Sequence, residues 1–264
     1  MNQQHDLFEQ FRPALASSSD DKAFLLGREN EYALYYVPFE YVNADARLVL
    51  VGITPGPKQM KCAYATARRL LGQRTNTSEA LRAIKQSCAF SGMRDKINAM
   101  LEHFDIPRCI GASSAVSLWG TEFDLFHPTS IVPNAAFRGG AYFNGPFESV
   151  LDVPLLRKQF EHAFILSAEH INKTALYIGM GPVVDEALAW CVSRGILAEQ
   201  QVLGYFPHAS GASGSQFAYF IRKRRLHDLK PKDPVRYRAS DLDAVYDRIA
   251  ANLKALFPQW RHAG

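Results

Sequence analysis

Two short loops carry the residue types best suited to chemistry in this sequence. Residues 52–57 read GITPGP, where two glycines and two prolines predict a rigid turn that a ligand can approach closely. A helix predicted to begin at its end would offer unpaired N–H groups to an anion. Residues 208–213 read HASGAS. The imidazole of His208 can stabilise a developing anion, and the small and hydroxyl residues after it can hold phosphates.

Each loop is predicted to follow a buried strand. Residues 46–52 and 201–205 are apolar and end in a turn, and two more strands are predicted at 123–126 and 175–179. The intervening segments have helical periodicity or helix-type ends; they are 57–72, 78–87, 93–104, 154–171, about 182–194 and a segment from about 213. This alternation predicts an α/β fold, a three-layer α/β/α arrangement with a central, mostly parallel four-stranded sheet. Ligands of such sheets bind beyond the carboxyl ends of the strands, where both loops lie.

The remaining segments predict one domain without a linker. Residues 4–15 predict an amphipathic helix within a helical N-terminal extension, 1–45, in which 33–37 is a weak strand candidate. The core spans about 46–225, and a helix at 240–257 follows it. Residues 127–150 have no periodicity and predict a long loop, a kind of segment that is often functional.

Composition limits the classes of protein. Of 264 residues, 47% are hydrophobic and 21% charged, values typical of a globular chain rather than a disordered one. The sequence has neither an apolar run long enough for a membrane span nor the pattern of a secretory signal at its start, so we expect a cytoplasmic protein. Four scattered cysteines without a Cys-x-x-Cys pair predict reduced thiols, no iron–sulfur or zinc site, and no cofactor.

The positive charge is concentrated in one segment. Residues 221–238 hold eight basic and two acidic residues, whereas the whole chain has a formal net charge of +4. Such a patch neutralises phosphates and favours nucleic acid as a partner, although it is also compatible with a solvated helix end. The candidate DNA-binding residues are Ser210, Gly211, Ser213, Arg222, Lys223, Arg224 and Arg225.

Together the two loops resemble the motifs of the uracil-DNA glycosylase superfamily. Its members carry a Gly-x-(Asn/Asp/Glu/Ala)-Pro-Gly-like motif after the first core strand and a His-Pro-Ser-like motif after the last. The Pro-Gly-Pro ending of the first loop is most similar to the single-strand-selective and mismatch-specific branches. The resemblance covers residues 46–225 and implies an enzyme without a cofactor that extrudes a base and hydrolyses its N-glycosidic bond.

The resemblance also implies roles for individual residues. His208 would donate a hydrogen bond to the departing base, and Thr54 would hold the attacking water. Ser130, in the sequence TSIVP, would stand where the family has the asparagine that reads the pyrimidine. The other substrate-binding candidates are Gly52, Ile53, Pro55, Gly56, Tyr64 as the nearest aromatic ring, and Asn144 as a possible replacement for the amide.

Two departures from the family pattern shape the expected activity. Thr54 has no carboxylate to act as a base, and Ser130 lacks the paired donor and acceptor of an amide. The sequence therefore predicts either an atypical glycosylase, slow or shifted in base specificity, or a member that binds DNA without cutting. A third alternative is an α/β enzyme that acts on a nucleotide or phosphorylated metabolite. The expected partner is single- or double-stranded DNA, with no membrane, for a monomer associated with the nucleoid.

Overall fold

A computed structural model describes residues 6–17, 20–209 and 214–259. Its strands, in chain order, are β1 (Leu25–Glu29), β2 (Tyr32–Tyr35), β3 (Leu48–Gly52), β4 (Phe126–Ser130), β5 (Ala135–Arg138), β6 (Ala141–Tyr142), β7 (Leu176–Met180) and β8 (Val202–Phe206). Four of them form a parallel sheet in the order β4–β3–β7–β8. Helices flank this sheet, so the predicted three-layer α/β/α class is confirmed.

The central strands form where uninterrupted apolar residues are bounded by turn residues. All five residues of β3 are buried, as are all five of β7, which suits strands covered on both faces. Three strands lie within two residues of their predicted positions. The strand predicted at 123–126 is wrong in its bounds, because Phe123–Leu125 form a 3₁₀ turn and β4 begins at Phe126.

A second, antiparallel sheet has the order β1–β2–β5–β6. In its register Tyr32 faces Arg138 and Tyr35 faces Ala135. The expectation of a long loop at 127–150 is therefore wrong, since β5, β6 and most of β4 lie there, together with a helix. The expectation of a helical N-terminal extension is also incomplete, because β1 and β2 lie within it.

The predicted helices begin and end close to their predicted positions. The helices of the structure are α1 (Asp6–Ser17), α2 (Pro57–Gly72), α3 (Thr77–Cys88), α4 (Arg94–His103), α5 (Ile106–Cys109), α6 (Phe147–Asp152), α7 (Pro154–Gln159), α8 (Leu166–His170), α9 (Pro182–Ser193), α10 (Gly214–Phe220) and α11 (Ala239–Leu256). Of these, α5 and α6 are helices that the sequence analysis did not predict. Proline is the first residue of α2 and α9, where its missing N–H costs nothing. A π-helical segment, Phe160–Ile165, joins α7 to α8, so the predicted helix at 154–171 is one run with a change of pitch.

The chain divides into two compact units. The first consists of residues 1–44, 51–91 and 127–173, and the second of 45–50, 92–126 and 174–264. Each unit is assembled from three segments, and this explains why the sequence has no linker-like stretch at a boundary.

Aromatic side chains fill the interior of each unit. In the first, the ring of Phe24 stacks on Tyr64 at 4.0 Å between centroids, and Phe11 stacks on Tyr36 at 4.7 Å. In the second, Phe104 packs at 6.0 Å from Phe206 and 5.9 Å from Phe220. These contacts fix the elements that carry the two loops.

The cysteines are not all reduced. A disulfide joins Cys62 in α2 to Cys88 at the end of α3, so the expectation of four thiols is wrong for this pair. Their spacing of 26 residues has no motif, and only the packing of α2 against α3 brings them together. Cys109 and Cys191 are free, and burial raises the pKa of their thiols to about 11 and about 12. None of the helices in the described parts of the chain is long and apolar enough to cross a membrane.

Candidate active site at the end of strand β3

The first loop is held against the segment that follows β4. The carbonyl of Gly52 accepts a hydrogen bond from the N–H of Ile131, and the carbonyl of Ile53 accepts one from Val132, both at 2.9 Å. This pairing brings Ser130 beside Gly52. A Cβ atom built on Gly52 would lie 3.4 Å from Ser130 Oγ and 3.3 Å from the ring of Phe90, so glycine is needed for the close approach.

The hydroxyl of Thr54 is engaged by the backbone. Its Oγ1 donates to the carbonyl of Asn134 at 2.7 Å and accepts from the N–H of Ala136 at 2.9 Å. The single hydroxyl hydrogen is therefore used, and one lone pair remains to accept a hydrogen bond from a water molecule. In this arrangement the Thr54 hydroxyl joins the end of β3 to β5.

The rest of the loop leaves the start of α2 open. Pro55 is buried, whereas Ile53 and Gly56 are half-buried. Gly56 is the N-cap of α2 in an extended conformation, and a Cβ built on it would meet nothing within 4 Å. The glycine is thus not required by packing, and the N–H groups of the first turn of α2 are approachable.

Phe90 is a candidate that the sequence analysis missed. It is buried and has a left-handed backbone conformation, with φ of 54°, which is unusual for a bulky residue. Its N–H donates to Oε1 of the buried Gln59 at 2.8 Å, and this bond holds the conformation. Backbone strain of this kind clusters at functional sites. No spacing rule points to Phe90, because it lies beyond α3.

A small hollow lies in front of these residues. Its lining residues are Phe39, Gln59, Ala89, Phe90, Pro128, Thr129, Ser130 and Pro133. The cavity volume is about 10 Å³, room for a single water molecule. A nucleobase would enter only if lining side chains moved.

Tyr64 and Asn144, two of the predicted substrate-binding residues, do not line this hollow. Tyr64 is buried in α2, where one face of its ring is covered by Phe24 and its hydroxyl donates to the carbonyl of Tyr36 at 2.5 Å. It packs in the core and is not retained as the stacking ring. Asn144 is exposed, between β6 and α6, and no contact connects it to the hollow.

The second loop lies in the second unit. His208 follows β8 and is exposed, and partial desolvation together with the positive charge of Lys96 lowers the pKa of its imidazole. The ring is therefore neutral at neutral pH, and it can donate from one nitrogen. Ser210, Gly211 and Ser213 lie outside the described residues.

The basic residues of the segment 221–238 differ in their contacts. Arg222 forms an ion pair with Asp243, and its guanidinium lies 3.9 Å from the ring centre of Tyr246. Arg222 is exposed, as are Lys223, Arg224 and Arg225. Tyr237, which the sequence analysis did not select, is 79% exposed at the other end of this segment. It lies between Arg236 and Arg238 in the sequence.

These features define the class of protein: an α/β protein with a parallel sheet and a glycine-dependent candidate site at the carboxyl end of β3. No family model matches the sequence. The chain is 32% identical over 218 residues to a protein of Bacillus subtilis (strain 168) described as uncharacterized protein YoxB, a match that covers 81% of this chain and 85% of that one. The chain belongs to the family of YoxB.

Proposed function

We propose that this protein binds DNA and hydrolyses the N-glycosidic bond of an extruded, deaminated base, as a slow relative of the uracil-DNA glycosylases. The observation that carries the proposal is that Phe90 and Ser130 both lie close to the position a side chain of residue 52 would occupy, 3.3 and 3.4 Å from a Cβ atom built on Gly52. A turn without a side chain, an aromatic ring and a hydroxyl at a strand end are the parts needed to hold a base by its face and its edge. Phe90 takes the stacking role for which the sequence offered Tyr64.

The basic segment of the second unit supplies affinity for DNA. Lys223, Arg224 and Arg225 are exposed, so their charges can meet phosphates. Tyr237 adds a ring on which an unpaired base can stack. Association with the nucleoid follows from this affinity, and the protein would act as a monomer without a cofactor.

The chemistry assigned to His208 needs a neutral donor. As the glycosidic bond breaks, negative charge develops on the base and positive charge on the sugar. A neutral imidazole stabilises the base by a hydrogen bond, and the lowered pKa of His208 favours that form. Water attacks the sugar, and its proton passes to solvent because Thr54 is not a base. Absence of a carboxylate at this position is the reason that we expect a low rate.

A second candidate is a protein that recognises a base without excising it. The commitment of the Thr54 hydroxyl to Asn134 and Ala136 favours this alternative, because the residue then serves the fold. The cavity volume of about 10 Å³ points the same way. DNA binding would be retained and no abasic product would form.

An excision panel distinguishes the two candidates. Oligonucleotides with uracil, hypoxanthine or xanthine, single- and double-stranded, are incubated with excess protein, and abasic sites are revealed by alkaline cleavage. We expect slow release of at least one base, together with salt-dependent binding. Binding without cleavage over long incubation favours the second candidate, and absence of both rejects the two together. Ser130→Ala is the informative variant, since loss of its hydroxyl should reduce discrimination between bases more than binding of DNA.

A further inference from the structure

A larger cavity in the first unit has one polar side and several apolar walls. Its volume is about 360 Å³, within the range of small-molecule sites. Apolar walls come from Leu7, Phe39, Val42, Pro133, Ala163 and Leu166. The polar side contains Glu40, Lys85 and His127, which come from three separate segments of the chain. The other polar residues that line the cavity are Thr129, His162, Ser167 and His170.

Glu40 presents an oxygen atom without a partner. The hydroxyl of Tyr36 donates to Glu40 Oε1 at 2.5 Å. The other oxygen, Oε2, is inaccessible to solvent and has no hydrogen-bond partner among the described residues. Burial raises the pKa of this carboxyl group to about 7.

His127 also has a buried nitrogen atom without a hydrogen-bond partner among the described residues. The side chain is 1% exposed, and its Nδ1 accepts a hydrogen bond from the N–H of Asn43 at 3.2 Å. The hydrogen of the neutral ring is therefore on Nε2, since Nδ1 must use its lone pair. Nε2 is buried and has no partner among the described residues, and burial lowers the pKa of the ring well below its ordinary value.

Lys85 adds a buried ammonium group to the pair. Its side chain is 2% exposed, and Nζ donates to the carbonyl of Tyr41 at 2.6 Å. This bond uses one of three N–H donors. Burial lowers the pKa of Lys85 to about 7, and the carboxylate of Glu40 partly opposes that shift. The polar side thus offers an acceptor at Glu40 and donors at His127 and Lys85.

Buried polar atoms without partners are costly, so two of them on side chains that line one cavity point to a ligand that satisfies both. We propose that this cavity binds a small planar heterocycle whose edge carries an N–H donor beside a C=O acceptor, the chemistry of a free nucleobase or its nucleoside. The ligand N–H donates to Glu40 Oε2, and its carbonyl accepts from His127 Nε2 or Lys85 Nζ. The apolar walls contact the ring.

The site is separate from the hollow in front of Gly52, although Phe39, Thr129 and Pro133 line both. Binding of a ligand in this cavity does not require that the protein excises bases. It concerns a free small molecule, and DNA is not part of its test.

The test measures binding of free ligands to the full chain by calorimetry or ligand-observed NMR. The probes are uracil, hypoxanthine and uridine; uridine distinguishes a nucleoside site from a base site. The matched ligand is 1,3-dimethyluracil, which keeps the ring and both carbonyls but has no N–H. We expect uracil or hypoxanthine to bind about tenfold or more tightly than the dimethyl compound, the loss expected for one unmade hydrogen bond to a charged group.

Variants assign the binding to the polar side. Glu40→Gln and His127→Phe are expected to weaken the preferred ligand about tenfold or more, whereas Glu79→Gln, an exposed change in α3 that does not line the cavity, leaves it unchanged. Circular dichroism verifies folding, and the ligand panel on the unchanged protein decides the question if a variant unfolds. Absence of binding at millimolar concentration overturns the proposal, as does equal affinity for 1,3-dimethyluracil. Stronger binding of benzoate overturns it in favour of an anion site at Lys85.

Discussion

The hydroxyl of Thr54 donates to the backbone carbonyl of Asn134 at 2.7 Å, and it also accepts from the N–H of Ala136 in β5 at 2.9 Å. This residue, the centre of the first loop, is therefore part of the connection between β3 and β5. The finding separates two roles that the sequence cannot distinguish, since a threonine in a Gly/Pro turn suits either water binding or structure.

Thr54→Val tests the structural role. Valine keeps the shape but leaves the carbonyl of Asn134 and the N–H of Ala136 without their partner, so we expect a loss of about 2 kcal/mol in the free energy of unfolding. Urea denaturation measures it. Thr54→Ser keeps the hydroxyl and should lose far less. Equal stability of the valine variant and the parent would show that the two bonds contribute nothing net.

The basic segment leads to a prediction about salt. Reversing Lys223, Arg224 and Arg225 to glutamate should weaken DNA binding equally for all sequences, because contacts with phosphate do not read bases. The slope of log K against log salt should fall in magnitude by about 2–3, close to one counterion for each lost contact. Titration at several salt concentrations measures the slope, and an unchanged slope would remove these residues from the DNA surface.

Arg222 serves as the contrasting position. It is paired with Asp243 and covers Tyr246, so Arg222→Ala should lower stability by about 1 kcal/mol while changing the salt slope little. A large effect on the slope with no loss of stability would reverse this assignment.

The parallel sheet could be predicted because most of its strands have a distinctive residue pattern. A run such as β3 is apolar and branched, and glycine and proline end it. The antiparallel sheet could not, because β5 and β6 are short and β5 begins with two alanines. Its strands exist because they pair with β2, a distant segment.

The candidate site divides in the same way. Gly52 and Thr54 stand at the end of β3, which the sequence pattern locates, whereas Ser130 ends β4, whose bounds the pattern did not give. Phe90 comes from a turn after α3, and only packing brings it to Gly52. Glu40, Lys85 and His127 have no shared motif at all, and their importance appears only when burial and hydrogen bonding are known together.

His208 is expected to contribute to excision rather than to binding of DNA. If the proposed reaction occurs, His208→Ala should lower its single-turnover rate by about 10²-fold, the usual effect of removing one donor to a developing anion. DNA affinity should change little. Because partial burial lowers the pKa of the ring below its ordinary value, the rate should not depend on the titration of this group at neutral and higher pH. A variant that excises as fast as the parent would show that His208 has no part in the reaction.

Glu40 should make stability depend on pH in an unusual direction. Its pKa is about 7 in the folded protein and near 4.5 in the unfolded chain, so the folded protein holds a proton that the unfolded chain releases. The stabilisation from this group is complete below pH 4.5 and is lost as pH rises through 7.

Glutamine resembles the protonated acid and can still accept from Tyr36. The parent should therefore lose roughly 3 kcal/mol relative to Glu40→Gln between pH 4.5 and 8. Lys85, His127, His162 and His170 line the same cavity. Because Glu40 and Lys85 influence each other's pKa, the difference between parent and variant, measured by urea denaturation at each pH, reports Glu40 together with its coupling to Lys85. A difference that stays constant with pH would mean that the carboxyl group is hydrated and titrates normally.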